Sequence, residues 1–202
     1  MIRLLRRAIA AGRLLRMAAV MALSALPAAT QSGAQTATPP EVSAVSFALT
    51  AAGGHTVTEQ TYRGKWLIVY FGYTFCPDIC PTTLMEIAGA LAKLGPRAEM
   101  VQGLFVTVDP KRDTPEVLGA YVQSFDPRIV GLTGTTAQVA VAAKSFNVFY
   151  ERRDTDDGGY VYDHTTLIYL VDPEGRLVKA LSGGAGAQQI AEALAVSMRT
   201  KR

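Results

Sequence analysis

Two cysteines and two histidines are all that this 202-residue sequence offers in soft metal or thiol chemistry. That scarcity excludes an iron–sulfur cluster, which needs more thiolates. The methionines are dispersed, with Met85, Met100 and Met198 far apart, so there is no methionine-rich metal track. No internal repeat is visible. Acidic residues are missing from the first 29 positions, and the apolar run there, Met17 to Ala29, has 13 residues. A bilayer-spanning helix needs roughly 20.

What the N-terminus does have is an export pattern. Arg3, Arg6, Arg7, Arg13 and Arg16 come before or at the edge of the short apolar run, which ends in small residues. Residues 1–29 read as a signal peptide, with an uncleaved anchor as the alternative, and no cysteine lies near the leader's end to accept a lipid. Residues 30–40, "TQSGAQTATPP", read as a flexible linker. The folded domain is expected over 41–202. The leader holds five of the 20 basic residues, which leaves 15 against 17 acidic ones. Its loss removes the formal net charge of +3 as an argument for nucleic-acid binding, and no nucleic-acid partner is expected. The expected location is exported, periplasmic or membrane-facing, with membrane association only through the leader.

Both cysteines fall in one stretch, "FGYTFCPDICPTTL", Phe71 to Leu84, and each is followed by a proline. Before Cys76 lies "WLIVYFGYT", an unbroken apolar and aromatic run that reads as a strand buried on both faces. After Cys80, Leu84, Ile87, Ala88, Leu91 and Leu94 recur at helical spacing. Pro81 suits the first turn, and Gly95-Pro96 ends the helix. Downstream, "MVQGLFVTVD" reads as a second buried strand and "TPEVLGAYVQSF" as a helix with a threonine N-cap. A strand "IVGLT", a helix over about 136–146 and a strand over 148–152 follow. The turn "DTDDGGY" then leads into "TLIYLVD" and "GRLVKAL", and a helix over about 187–198 closes the chain. Strands alternating with helices and ending in a hairpin predict a three-layer α/β domain with a central mixed sheet.

The cysteines thus sit on a turn between a central strand and a helix N-terminus, as in thioredoxin, with three intervening residues instead of two. In an oxidising compartment, a structural bridge is the default for an even pair. A helical turn would place them on one face with Cβ atoms about 5 to 6 Å apart. That separation is long for a relaxed disulfide and easier to close on a shared metal ion. The partial positive charge of the helix end favours thiolate, the form that ligates metal and exchanges disulfides. His55, in "AAGGHTVT", reads as a solvated turn residue. His164, in "YVYDHTTLIYL", stands at the mouth of an apolar strand. A histidine there is more often a packed structural residue. In a thioredoxin-like sheet, however, the segment entering that strand lies beside the cysteine turn.

Three motifs, "GYTFCPDICPTTL", "FVTVDPKRDTPEVL" and "YVYDHTTLIYLVDPEGRL", together resemble the Sco/SenC family of copper-binding thioredoxin-fold proteins that assist assembly of cytochrome c oxidase. The resemblance runs from about Glu41 to the C-terminus. It implies copper ligation by Cys76, Cys80 and His164. It also implies a copper-bearing oxidase subunit as the recipient, possible exchange with other copper chaperones, and a metallochaperone more than an enzyme. Many members carry a histidine just before the first cysteine, where this chain has Phe75. Two thiolates and an imidazole satisfy three-coordinate Cu(I), and Cu(II) can add a water or carboxylate. Zinc with the same three ligands and a water is the metal alternative. The functional alternative is an extracytoplasmic thiol-disulfide oxidoreductase using the redox-active pair Cys76 and Cys80 without metal. A peroxiredoxin-type peroxidase is disfavoured because its usual threonine is here Tyr73. Lys111, Arg112 and Asp113 read as a solvated charged loop, Asp78 as a solvated loop carboxylate, and Asp109 and Asp172 as strand-ending turns.

Overall fold

The structure, a computed structural model, describes residues 44–201. The expected leader and linker lie outside the described residues. Among those described, no helix is long and apolar enough to cross a membrane.

The centre of the fold is β3 (Trp66–Gly72), every residue of which is buried. Its β-branched and aromatic side chains fit a strand covered on both faces. It pairs in parallel with β4 (Val101–Thr107), which pairs in parallel with β5 (Ile129–Thr133). Short strands β1 (Ala48–Ala51) and β2 (Thr56–Thr58) extend this edge in antiparallel fashion. On the other side, β8 (Ile168–Val171) and β9 (Leu177–Leu181) add antiparallel strands. The order is β2-β1-β5-β4-β3-β8-β9, the mixed central sheet that the strand–helix alternation predicts. The sequence pattern does not mark β1 or β2.

Helix α1 (Ile79–Lys93) buries Leu84, Ile87 and Leu91, and Gly95, at φ +56°, takes the chain out of it. Helix α2 (Pro115–Gln123) starts with proline at its first position, and the Thr114 hydroxyl accepts from the Val117 N–H. Helix α3 (Thr136–Ser145) opens on a capping box between Thr135 and Gln138. Helix α4 (Gly186–Thr200) packs on α1. Strand alternation sorts these helices. Tyr70 and Gly72 of β3 look toward Cys80 of α1, and Tyr70 stacks on Phe105, which meets Tyr121 of α2. Phe71 points the other way, onto Phe146 at the end of α3 and onto Tyr169. Helices on both faces of a mixed sheet give the expected three layers.

One region departs from expectation. The strand expected over 148–152 forms as β6 (Tyr150–Asp154), and "DTDDGGY" does not lead directly into the apolar strand. It closes a hairpin with an unexpected strand, β7 (Tyr160–His164), which pairs only with β6. The physical reason is thin burial: β6 is exposed along most of its length and β7 is only half-buried, with Tyr150 and Tyr162 touching the core, too short an apolar pattern to read as a strand.

Candidate metal centre

After Gly72 the chain turns through residues 73–78 and enters α1. Cys76 precedes the helix, its N–H donating to the Tyr73 carbonyl at 3.3 Å, while Cys80 lies in the first helical turn. The two cysteines are therefore not stacked on one helical face, as a wholly helical turn would have placed them. Asp78 is the N-cap residue, but its side chain makes no capping bond and is exposed, in line with a solvated carboxylate. The N–H groups of Asp78 and Cys80 at this helix end are thus left to the Cys76 sulfur.

Space for Cys80 depends on Gly72. A Cβ there would lie 2.7 Å from the Cys80 sulfur and 2.8 Å from the Phe105 ring. Cys80 is fully buried and Cys76 is 8% exposed, and both are free thiols with no bridge between them.

His164 reaches them from the last position of β7. The two sulfurs and a ring nitrogen of His164 all lie within 4.8 Å of one another, with Cys80 Sγ 3.5 Å from Nε2. The Thr165 carbonyl can only accept, so Nδ1, 2.9 Å away, carries the proton and donates it there. That bond leaves the Nε2 lone pair facing the sulfurs, the usual second partner of a ligating histidine. His55 stays exposed in the turn between β1 and β2 and has no part in the centre.

The two thiols are electrostatically unequal. A hydrogen bond from Cys80 holds the Cys76 thiol down to about 4. The N–H groups of Cys80 and Asp78 help to outweigh burial. Cys80 is driven far upward, first by giving its hydrogen bond to Cys76 and then by burial. At neutral pH, Cys76 is a thiolate and Cys80 keeps the shared proton. Tyr70, whose hydroxyl lies 3.8 Å from the Cys80 sulfur, is raised by burial and by that sulfur, so it stays neutral.

Several supporting residues carry no sequence signal. Asp113 is fully buried and is no part of a solvated loop: it accepts from the Thr74 N–H at 3.1 Å, from the Thr74 hydroxyl, and from Thr107 Oγ1 at 2.6 Å. It pins the cysteine turn to the end of β4. Arg112 is also half-buried, paired with the fully buried Asp109. Lys111 alone of the three is exposed as expected. Asp109 and Asp172 do end strands, yet both are buried and ion-paired. Tyr73 sets its ring edge against His164, with centroids 5.9 Å apart.

The sequence and the fold have counterparts among known proteins. Residues 35–199 match the family model described as SCO1/SenC. The mouse protein "Protein SCO2 homolog, mitochondrial" is 40% identical over 151 residues, 73% of this chain and 59% of that relative. The chain spans about half the length of the curated relatives it matches. Among solved structures, Arabidopsis thaliana ScoI with copper bound is 35% identical, with a TM-score of 0.74 over 78% of this chain and 98% of that one. Bradyrhizobium japonicum ScoI with copper bound is 40% identical, with a TM-score of 0.70 over 76% and 98%.

Proposed function

The chain belongs to the SCO1/SenC family, and from that premise we propose that it binds one copper ion through Cys76, Cys80 and His164 and serves cytochrome c oxidase assembly as a metallochaperone. The carrying observation is the convergence of two thiols and an imidazole nitrogen within 4.8 Å, at the N-terminus of a helix. The three donor atoms lie within 4.8 Å of one another, so a small closure would let Cys76, Cys80 and His164 hold one ion. Soft thiolates select Cu(I), and the imidazole broadens the set toward Cu(II). Uptake displaces the proton from Cys80. On the same reading, residues 1–29 are an export leader or anchor, 30–40 a tether, and the folded remainder works on the extracytoplasmic face of a membrane. There it hands copper to the oxidase's copper-bearing subunit.

The ionised Cys76 also favours a second reading, thiol-disulfide exchange. Its thiolate would attack a partner's disulfide and expel one partner thiolate. Cys80, giving up its proton, would then resolve the mixed disulfide, leaving a Cys76–Cys80 bridge here and two thiols on the partner. One experiment separates the two. Copper per chain, the Cu(II)–thiolate absorption band and oxidase assembly in cells are measured for the parent, His164→Ala and Cys76→Ser. Copper delivery requires both variants to fail in assembly. A His164→Ala protein that binds copper and supports assembly like the parent, beside a Cys76→Ser protein that does not, overturns the metal role of His164 in favour of exchange.

A further inference from the structure

We propose that Arg112 is a positioning residue for the metal centre: it latches the hairpin that carries His164 onto the turn that carries Cys76. The proposal rests on the copper reading above.

The need for a latch follows from the topology. Strands β6 and β7 pair with each other and with no strand of the central sheet. β6 is exposed along most of its length and β7 is only half-buried, so apart from Tyr150 and Tyr162 they provide little apolar burial. Ligand geometry at His164 therefore depends on whatever docks this ribbon against residues 73–76.

Arg112 lies between the two parts. Its guanidinium carbon is 3.8 Å from the centroid of the Tyr160 ring on β7 and 4.5 Å from that of Phe75, the neighbour of Cys76. The Tyr73 ring lies 5.8 Å away. Nη1 donates to the Tyr160 carbonyl at 3.2 Å, and Nε pairs with Asp109. The Tyr160 hydroxyl donates to the same carboxylate at 3.2 Å, closing a ring of contacts among Arg112, Asp109 and Tyr160. A second contact aligns the ribbon: the Tyr162 N–H donates to the Tyr73 hydroxyl at 3.3 Å. A planar fork that stacks on two aromatic faces while donating edgewise is specific to arginine; an ammonium can keep the charge but not the stack. The latch also accounts for Phe75, an aromatic residue left 60% exposed beside a buried cysteine. Its ring covers the guanidinium.

The test uses the reduced full chain carrying Arg112→Lys or Arg112→Gln, each alone and combined with His164→Ala. Cu(II) and Cu(I) affinities are read by chelator competition, and backbone hydrogen exchange is read alongside. Arg112→Lys, which retains the charge beside Asp109, is expected to weaken Cu(II) binding about tenfold, as loss of a ligand's supporting partner does. Exchange should speed up in residues 150–164 and not in α1. In the His164→Ala background the same substitution should change Cu(II) affinity less than about twofold, because the ligand it positions is gone. Equal losses in both backgrounds, or unchanged affinity and exchange in both Arg112 variants of a copper-binding parent, overturn the latch alone. A parent that binds no copper overturns the copper reading and the latch with it.

Discussion

The cysteine turn and the histidine hairpin face each other across one site, yet they are built in opposite ways. The turn grows out of a fully buried strand, rests on Gly72 and Phe105, and is pinned from behind by Asp113. The hairpin is a two-stranded ribbon outside the sheet, with exposed residues along most of β6. Two-stranded ribbons are marginal on their own. The contrast shows that the thiols are positioned by the core and the imidazole by a local dock. Damage to the first half should spread to the whole domain, whereas damage to the second should stay local.

The comparison is challenged most severely at Gly72. In Gly72→Ala the new methyl meets a sulfur and a ring at under 3 Å. Overpacking of this kind costs about 1–3 kcal/mol, and displacement of Cys80 should cost copper affinity at least the hundredfold that ends the range for lost supporting groups. Chemical denaturation and Cu(I) competition read the two effects. A stable Gly72→Ala protein with parental affinity would break the claim that the core sets the thiols. Next comes Leu84→Ala, on the buried face of α1 behind the turn. It should lose about 2–5 kcal/mol in denaturant unfolding without changing the copper ligand set.

The pattern of what was legible follows the same division. Strand β3, helix α1, strand β4 and the run into β8 are long and apolar, and their periods announce them. Cys76, Cys80 and His164 stand out as the rare residue types at element ends. Strand β7 escapes notice because it is short and only half-buried, and because its partner β6 is charged and exposed along most of its length, although Tyr150 and Tyr162 do rest on the core. Asp113 and Asp78 look alike as letters: one is buried under three donors and the other is solvated, and only the tertiary fold distinguishes them. The helix, read as following Cys80, begins earlier, at Ile79, so Cys80 belongs to its first turn while Cys76 stays in the turn before it, as expected.

Two smaller effects sharpen the contrast. The first is the asymmetry of the thiols. With Cys76 held down to about 4, it should alkylate with iodoacetamide at a nearly constant rate from pH 8 to about pH 5, slowing only as pH falls toward that value. Linkage gives the matching sign for stability. A depressed acid favours the folded state above its unfolded value of about 8.5, and that contribution is lost as pH falls toward about 4. Cys80, buried and raised, should resist alkylation at pH 8. Mass spectrometry of the labelled chain checks both, and preferential labelling of Cys80 would reverse the assignment. The smallest effect lies in the ribbon. Gly158 sits at φ +80° with open space around it, so Gly158→Ala carries only backbone strain of about 1–2 kcal/mol. Local fraying of the tip should absorb most of this, shifting global unfolding by less than about 0.5 kcal/mol while raising protease cleavage near 156–158.

The base of the hairpin is tied by a reciprocal pair: the Thr165 N–H donates to the Phe149 carbonyl and the Phe149 N–H to the Thr165 hydroxyl. Chain enters and leaves the ribbon at that single pinch. The third ligand is therefore portable in an engineering sense. Residues between Tyr150 and His164 can be swapped, lengthened or given a different donor while the sheet keeps its pairing, provided Tyr160 and Tyr162 keep their seats. A protein with two fixed sulfurs and an exchangeable third arm is a ready scaffold for retuning which metal it prefers, one ribbon at a time.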